Sequence, residues 1–289
     1  MKTTLLNVIR NIFKINLLET TLRSFTQNKK PSSFIAKLVP NNYTYKIGTK
    51  RSFKYKDVNL ELDIHDYLSH YLYFGFKDLS HEKLMSLIEK NNVVLDIGTN
   101  YGTTILQFAK LVGDNGLCFG FEPDPINYKI CIDNINLNKF NNISVENYGL
   151  GNKKTELNLI VETPSNRGGN RIGNNINNNE SHIVRITTMD NWVFEKKINK
   201  INLIKIDVEG YEFNVLKGGL NTLQKFKPIL FIEVDDNNLK LQYASASELI
   251  AFLEQLNYNI FNAETNEIVS SKNNFFNCHF DIISLPKNN

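Results

Sequence analysis

The sequence predicts an α/β fold: a doubly wound, mostly parallel sheet with helices on both faces, preceded by a basic helical extension. Three observations lead to this fold class. From about residue 57 onward, apolar segments of strand length alternate with longer segments of helical spacing. The strand segments are apolar throughout, as expected when both faces of a sheet are covered. Charge also divides the chain, because residues 1–56 carry twelve lysines and arginines against one glutamate.

The first 25 residues place apolar side chains at helical spacing, at positions 5, 6, 8, 9, 12, 13, 17 and 18. Arg10 and Lys14 interrupt these positions, which argues against a transmembrane span and a signal peptide. A basic amphipathic helix of this kind docks on its own domain, docks on a second subunit of a homodimer, or lies on an anionic membrane surface. Nucleic acid is a further interpretation of the charge alone. We expect a boundary that separates this basic, partly helical extension, 1–56, from the domain at 57–289.

The composition is that of an ordinary globular protein, since 42% of the residues are hydrophobic and can form a sizeable core. The three cysteines, Cys118, Cys131 and Cys278, are few, odd in number and far apart. They predict neither a disulfide framework nor a zinc site. We therefore expect a cytoplasmic protein, peripheral to the membrane if the N-terminal helix binds lipid.

The alternation after the extension can be followed element by element. We predict strands in "VVLDIG", "LCFGFEP", "ISVENYGLG", "INLIKIDVEG", "PILFIEV", "YNIFNAE" and "HFDIISLP". We predict helices in "HEKLMSLIEK", "TTILQFAKLVG", "INYKICIDNINLNKF", "YEFNVLKGGLNTLQKF" and "SASELIAFLEQL". A hairpin is expected from "TELNLIVE" and "SHIVRITTMDNW", with the asparagine-rich segment 172–181 as a polar loop between them. Ligands of such folds bind at the carboxyl ends of the strands.

The segment "VVLDIGTNYGTT" places a glycine turn at one of those carboxyl ends. Gly98 and Gly102 let the backbone approach a ligand closely, while Asn100 breaks the spacing that a dinucleotide pyrophosphate requires. Asp96 would repel a pyrophosphate but suits a ligand that carries an ammonium or sulfonium group. Glu122, at the end of the next strand, suits the hydroxyls of an adenosine ribose. Two carboxylates around a small-residue turn predict a site for S-adenosyl-L-methionine.

Several segments together resemble a known family. The series "VVLDIGTNYG", "GFEPDP", "ITTMDNW", "INLIKIDVEGYEFNVLKGG" and "ILFIEV" is similar to the FkbM family of S-adenosylmethionine-dependent methyltransferases, most specifically in "KIDVEGYE". The resemblance covers roughly residues 60–285. It implies a class I methyltransferase fold, which is Rossmann-like, over 57–289. It also implies O-methylation of a hydroxyl on a sugar, glycan or glycolipid. The sequence departs from the family at Thr99 and at Met189. It also departs at Phe76-Lys77, where the family usually has a glutamate.

Four further residues complete the predicted site. Asn147 and Tyr148 end the third strand, where the adenine of the cofactor is expected. Asp207 and Glu209 end the fourth strand, and their alternate positions place both on one face, where either could take the proton of the acceptor hydroxyl. The pair could also gather a divalent cation, although we predict no metal site. His65, His70 and His182 are the next candidates for the base.

Rival functions are a nicotinamide-dependent oxidoreductase, a nucleic-acid amino-methyltransferase and a binding module without catalysis. Asn100 in the glycine turn disfavours the first. The second resembles a family with an Asn/Asp-Pro-Pro-aromatic segment after the fourth strand, and this chain has Asp207-Val208-Glu209-Gly210 there. We therefore expect a sugar or glycolipid hydroxyl as the acceptor and no nucleic-acid partner. Measurement of methyl transfer distinguishes an enzyme from a binding module without catalysis.

Overall fold

A computed structural model describes residues 2–173 and 180–287 of the chain. Most of the predicted asparagine-rich loop, residues 174–179, therefore lies outside the described residues. The chain divides into two compact units: unit 1 comprises Met1–Leu79 and Thr163–Gly168, and unit 2 comprises Ser80–Glu162 and Gly169–Asn289. The domain boundary expected at residue 56 stays a prediction.

Unit 1 contains helices at its start and end, with a hairpin between them. Its elements are α1 (Lys2–Ile12), α2 (Asn16–Thr26), two short 3-10 turns (Ile35–Leu38 and Asn42–Thr44), β1 (Lys50–Tyr55), β2 (Val58–Asp63) and α3 (Tyr67–Phe74). The two strands pair antiparallel, and alternate residues such as Phe53 and Leu60 are buried. Glu19 of α2 is also buried, and its carboxylate pairs with Arg51 of β1 at 2.7 Å. The helical spacing of the first 25 residues therefore corresponds to two helices.

Unit 2 begins with α4 and follows the predicted alternation to the end of the described chain. Its elements are α4 (Leu79–Ser86), β3 (Val93–Ile97), α5 (Thr103–Val112), β4 (Leu117–Phe121), α6 (Pro125–Asn136), β5 (Ile143–Glu146), β6 (Gly149–Leu150), β7 (Thr155–Ile160), β8 (Arg171–Ile172), β9 (Ser181–Thr187), α7 (Met189–Glu195), β10 (Leu203–Ile206), α8 (Glu212–Lys217), α9 (Leu220–Phe226), β11 (Ile229–Asp235), α10 (Asp236–Leu241), α11 (Ala246–Gln255), β12 (Tyr258–Asn262) and β13 (His279–Pro286).

The main sheet of unit 2 has seven strands in the order β12-β13-β11-β10-β3-β4-β5. Pairing is parallel from β11 to β5, and β13 runs antiparallel to both of its neighbours. All four residues of β10 are buried, as the apolar composition of a central parallel strand predicts. The chain therefore has the predicted class I methyltransferase fold, with a mostly parallel sheet.

A second, four-stranded sheet has the order β6-β9-β7-β8. Strands β7 and β9 pair antiparallel from Thr155↔Ile186 to Ile160↔Ser181, which confirms the predicted hairpin up to Thr187, but the last residues of its second segment, from Met189, form helix α7 instead. Val184 and Ile186 of β9 are buried while Ile183 is 74% exposed, so one face of this sheet is covered.

The segment predicted as one helix, "YEFNVLKGGLNTLQKF", forms two helices instead. The break falls at Gly218 and Gly219, between α8 and α9. A side chain at Gly218 would overlap the carbonyl oxygen of Gly151, so the chain comes too close to its neighbour for a continuous helix with side chains. The short helix α10 was not predicted at all.

The sheet order brings together the ends of four strands that are far apart in sequence. β11, β10, β3 and β4 are consecutive neighbours, and they run parallel. The residues that follow them therefore meet at one edge of the sheet. None of the helices in residues 2–173 and 180–287 has the length and hydropathy that a membrane crossing requires.

Candidate active site

The glycine turn between β3 and α5 is held by the end of β4. The N–H groups of Gly98 and Thr99 donate to the carbonyl oxygen of Phe121 at 3.0 and 3.1 Å. The N–H of Asn100 donates to Oε2 of Glu122 at 2.8 Å. Gly98 and Gly102 have φ of 84° and 83°, and Asn100 has φ of 50°. The turn is thus a fixed left-handed arrangement rather than a loose loop.

Gly98 allows the turn after β3 to lie close to the turn after β10. A Cβ at this position would overlap the carbonyl oxygen of Asp207, which follows β10. The N–H of Asp207 donates to the carbonyl oxygen of Ile97 at 3.0 Å. The absence of a side chain at Gly98 therefore lets the turn after β3 lie directly against the turn after β10.

We expect Gly98→Ala to destabilise the protein by about 1–3 kcal/mol more than Gly48→Ala, because overpacking of this size carries such a cost. The two glycines have nearly the same φ, 84° and 85°, but no atom lies within 4 Å of a Cβ at Gly48. Thermal unfolding of both variants measures the difference, at roughly 2–4 °C per kcal/mol. Equal melting temperatures would contradict the close approach.

Glu122 lies at the end of β4 with 5% of its surface exposed. Besides Asn100, its carboxylate accepts the N–H of Asp124 at 2.8 Å. Burial raises the pKa of Glu122 to about 8, and the two amides oppose this shift only in part. Asn147 donates from Nδ2 to the carbonyl oxygen of Glu122 at 2.9 Å, so it holds the end of β4 in place.

Asp96 and Asp207 are joined by a buried lysine. Asp96 is fully buried, and Nζ of Lys205 lies 3.4 Å from its Oδ1 and 3.0 Å from Oδ2 of Asp207. The same ammonium donates to the carbonyl oxygen of Gly98 at 3.1 Å. Burial raises the pKa of Asp96 to about 6, with Lys205 opposing the rise. Because Asp96 exposes no surface, it supports the turn from behind, and its direct contact with a cofactor stays a prediction.

Asp207, Glu209 and Glu233 form an acidic cluster, with one oxygen from each lying within 4.8 Å of the others. Oε2 of Glu209 accepts from Nδ2 of Asn238 at 3.0 Å. Oε1 of Glu233 lies 3.3 Å from Nε2 of His279. Burial, and then the mutual repulsion of these carboxylates, raises the pKa of Glu209 and of Glu233. Within the described part of the chain these oxygens suit either a shared proton or a divalent cation.

The expectation that strand alternation brings Asp207 and Glu209 together was wrong. β10 ends at Ile206, before either residue, and Glu209 has a left-handed backbone with φ of 51°. Their carboxylates meet because the chain turns after the strand. Glu212 holds that turn, since its Oε1 accepts the N–H groups of Val208 at 3.1 Å and Gly210 at 2.9 Å.

Glu212 also predicts a pH dependence of stability. It is 1% exposed, and burial raises its pKa from 4.5 to about 8. The folded state therefore binds more protons than the unfolded state between these values, and stability falls as the pH rises through that window. We expect Glu212→Gln to reduce this slope by about 1.4 kcal/mol per pH unit. Denaturation at several pH values measures the slope, with exposed Glu264→Gln as control, and an unchanged slope contradicts the assignment.

The remaining predicted residues are placed as follows. Asn147 and Tyr148 follow β5, and the ring of Tyr148 lies between Phe121 and the guanidinium of Arg185, with centroid distances of 6.1 and 5.9 Å. The predicted histidines do not join the acidic cluster. His65 and His70 bond to the carbonyl oxygens of Tyr45 and Pro40 within unit 1, and His182 pairs with Glu180.

The sequence did not identify three charged residues that lie in or beside the acidic cluster: Lys205, Glu233 and His279. Lys205 lies inside "KIDVEGYE", and Glu233 lies near the end of "PILFIEV". An acidic residue at a strand end was the signal that identified Asp96 and Glu122, so the same signal could have found Glu233. His279 begins the antiparallel last strand and had no such signal. A hydrogen bond with Glu233 raises the pKa of His279 to about 9, against the effect of burial.

Comparison with known proteins identifies the family. The methyltransferase FkbM domain matches residues 96–260, more than half of the chain. The chain belongs to the FkbM methyltransferase family. The resemblance seen in the sequence is therefore confirmed, and the family match begins at Asp96, at the glycine turn described above.

Two curated methyltransferases are similar to the chain. The 2-O-methyltransferase NoeI of Sinorhizobium fredii is 28% identical over 194 residues, which cover 61% of this chain and 76% of that protein. The hexuronic acid methyltransferase AglP of Haloferax volcanii is 28% identical over 141 residues, covering 49% of this chain and 55% of that protein. The match thus spans about half of the archaeal relative.

A crystal structure of the methyltransferase FkbM from Methylobacillus flagellatus is similar at a TM-score of 0.42 and 17% identity. The similarity covers 68% of this chain and 44% of that one. Similarity at this level carries no information on activity.

Proposed function

We propose that the protein is an S-adenosylmethionine-dependent O-methyltransferase that acts on a hydroxyl of a sugar, glycan or glycolipid. Membership of the FkbM family supports methyl transfer. The names of the two relatives, a 2-O-methyltransferase and a hexuronic acid methyltransferase, support a sugar-type acceptor. The observation that carries the proposal is the half-exposed carboxylate of Asp207, 42% accessible, held by buried Lys205 beside the glycine turn.

The residues around the glycine turn fit the cofactor. Oδ1 of Asn100 is buried without a hydrogen-bond partner among the described residues, and the same is true of both Asp96 oxygens, apart from the ion pair to Lys205. Buried acceptors of this kind need donors, which the ammonium and ribose hydroxyls of the cofactor would supply. We assign the cofactor to Gly98, Asn100, Gly102 and Glu122, with Asn147 and Tyr148 beside the adenine. When bound, S-adenosylmethionine supplies an electrophilic methyl group.

Asp207 is the base in the proposed reaction. Its carboxylate takes the proton of the acceptor hydroxyl, since a hydroxyl is a weak nucleophile until that proton leaves. Lys205 restrains the carboxylate through its 3.0 Å contact. Glu209 and Glu233 lie beside it, and burial together with the charge of the neighbouring carboxylates raises the pKa of both. The site also contributes to the rate of methyl transfer by aligning the acceptor oxygen with the methyl group.

The cofactor assignment predicts that Glu122→Gln weakens binding of S-adenosylhomocysteine by roughly ten- to hundredfold, because the new amide NH₂ group cannot accept one of the two backbone N–H groups, of Asn100 and Asp124, that the carboxyl oxygens hold. Isothermal titration calorimetry measures the affinity. Glu146→Gln is the control, because Glu146 ends the next strand and pairs with Lys196 at 2.6 Å instead of facing the turn. Wild-type affinity in Glu122→Gln, or tighter binding of NAD than of S-adenosylhomocysteine, would overturn the assignment.

Methyl transfer itself is tested by incubating the protein with S-adenosyl-[methyl-³H]methionine and a glycan extract. We expect label in material that is released as methylated monosaccharides on acid hydrolysis. Binding of S-adenosylhomocysteine without any transfer to glycan or glycolipid would favour a binding module. Label in nucleic acid instead of glycan would favour the rival amino-methyltransferase.

A further inference from the structure

Helix α1 docks on unit 1 through its charged side. Nε of Arg10 donates to the carbonyl oxygen of Lys37 at 2.8 Å, and Nζ of Lys14 donates to that of Thr44 at 2.7 Å. Lys14 also lies over the ring of Tyr45, 5.5 Å from its centroid. A helix of a globular domain normally turns its apolar side inward and its charged side to water. The orientation of α1 is the reverse.

The apolar side chains of α1 from Val8 onward, the part whose side chains the structure describes, are exposed. Val8 and Ile12 lie one turn apart on α1 and are 56% and 49% exposed, and Ile15, in the extended link between α1 and α2, is 60% exposed. We call these three residues the outer stripe. Leu17, at the start of α2, is 76% exposed, while α2 buries Glu19, Leu22 and Thr26 on its inner side. Both N-terminal helices thus present apolar side chains outward.

Further exposed apolar residues flank the two points where α1 is anchored. Phe34, 79% exposed, precedes the 3-10 turn that contains Lys37, and Ile47, 80% exposed, follows the one that contains Thr44. Exposed apolar side chains grouped along one short segment mark an interaction surface rather than ordinary surface variation.

The same segment carries exposed positive charge. Lys29, Lys30, Lys37 and Lys46 are exposed and have no ion pair among the described residues. Two arginines of the same segment already have partners. Arg51 pairs with Glu19, and Arg23 donates to the carbonyl oxygens of Tyr73 and Lys54. Residues 1–56 contain a single acidic side chain, Glu19, so nothing in the segment neutralises these lysines.

We propose that the outer stripe and the neighbouring lysines form a docking surface for an anionic lipid bilayer. Apolar side chains enter the boundary between headgroups and acyl chains, and lysines attract the anionic headgroups, so the segment supplies the two signals that stable peripheral binding needs. A second copy of the chain would bring the same positive charge against itself, which opposes a symmetric interface. A nucleic acid would use the lysines but leave the outer stripe in water.

The surface is tested with the full chain by flotation on phosphatidylcholine vesicles with and without phosphatidylglycerol. We expect binding to the anionic vesicles alone, weakening as salt rises. Lys29→Gln with Lys30→Gln should lower binding about twentyfold, at about fivefold for each basic residue near the surface. Ile12→Glu with Ile15→Glu should lower it about tenfold or more.

Matched controls lie in unit 2. Lys153→Gln with Lys154→Gln removes two adjacent exposed lysines, and Ile183→Glu alters an isoleucine that is 74% exposed. Both should bind like the wild type, and circular dichroism confirms that each variant is folded. Flotation needs neither cofactor nor acceptor, so its failure is distinguishable from failure of the proposed methyl transfer.

Two results overturn the proposal. The first is equal recovery with neutral and anionic vesicles, or binding that the Ile12→Glu, Ile15→Glu variant retains. The second is a concentration-dependent dimer in sedimentation velocity that the same variant dissociates, which would make the occupant a second copy.

Discussion

Replacing Asp207 by asparagine is expected to lower the rate of methyl transfer by roughly 10²–10⁴, the usual contribution of a general base. Cofactor affinity should change little, because the role of the base is confined to the transition state. Asparagine keeps the size of the side chain and its contact with Lys205 through the amide oxygen. The loss of rate therefore reports the loss of a proton acceptor rather than a change of shape.

The structure separates Asp207 from Glu209, which the sequence left equivalent. Asp207 is half exposed and lies 3.0 Å from the ammonium group of Lys205, so its carboxylate is held in place and can be reached by an acceptor. Glu209 is surrounded by Glu233, Asp207 and Glu212, and burial with these charges raises its pKa well above the usual range. A carboxyl group that already holds a proton at neutral pH cannot accept one. Glu209→Gln, which resembles the protonated acid, should therefore lower the rate by about tenfold or less.

The two variants are compared in single-turnover transfer of the tritiated methyl group, with S-adenosylhomocysteine affinity measured in parallel. A rate in Asp207→Asn close to wild type, with a large loss in Glu209→Gln, would reverse the assignment. Loss of activity on addition of a chelator, restored by a divalent cation, would instead identify Asp207, Glu209 and Glu233 as metal ligands.

The sheet and the glycine turn could be predicted because their signals are local. β3 and β10 are largely buried, so apart from Asp96 and Lys205 their residues are apolar, and the left-handed turn after β3 needs Gly98 and Gly102 within five residues. Such features follow from backbone sterics and burial within one segment. Asp96, Glu122 and Asp207 were found in the same way, as polar residues directly after apolar strands.

The contacts between the buried charged residues could not be predicted from the sequence, because they depend on which strands are adjacent in the sheet. Lys205 pairs with Asp96 because β10 and β3 are adjacent, with Lys205 opposite Asp96 in the register, although the two residues are far apart in sequence. Glu233 joins the cluster because β11 lies on the other side of β10. The full burial of Asp96 also follows from its place in the sheet, between β10 and β4, and its predicted contact with the cofactor stays a prediction. Strand order, and not local composition, decides each of these contacts.

The contact between Lys205 and Asp96 leads to the second large effect, this time on stability. Lys205→Met is expected to destabilise the protein by about 3–5 kcal/mol, because removing one partner of a buried pair leaves the other as an uncompensated charge. Asp96 is fully buried and forms no ion pair with any other cation among the described residues, whereas the Asp207 side chain is 42% exposed to water. The melting temperature should fall by roughly 10 °C or more.

The loss of stability caused by Lys205→Met should depend on pH in a defined direction. Burial raises the pKa of Asp96 to about 6 even with Lys205 present, and loss of the lysine removes the group that opposes this rise. The folded variant then binds a proton that the unfolded chain releases above a pKa of 3.8. Its stability must therefore decrease as the pH rises above that value. The deficit relative to wild type is expected to be largest at alkaline pH and to shrink on acidification.

A double-mutant cycle isolates the pair. Asp96→Asn removes the buried charge, so Lys205→Met should cost far less in that background than in the wild type. Lys129→Met is the matched control: it breaks a 3.0 Å pair with Asp133, but the two side chains are 76% and 62% exposed, and its cost should stay below about 1 kcal/mol. Equal costs of Lys205→Met in both backgrounds would mean that Asp96 is not compensated by this lysine. The placement of Asp207 through Lys205 would then need another explanation, since both carboxylates share the one ammonium group.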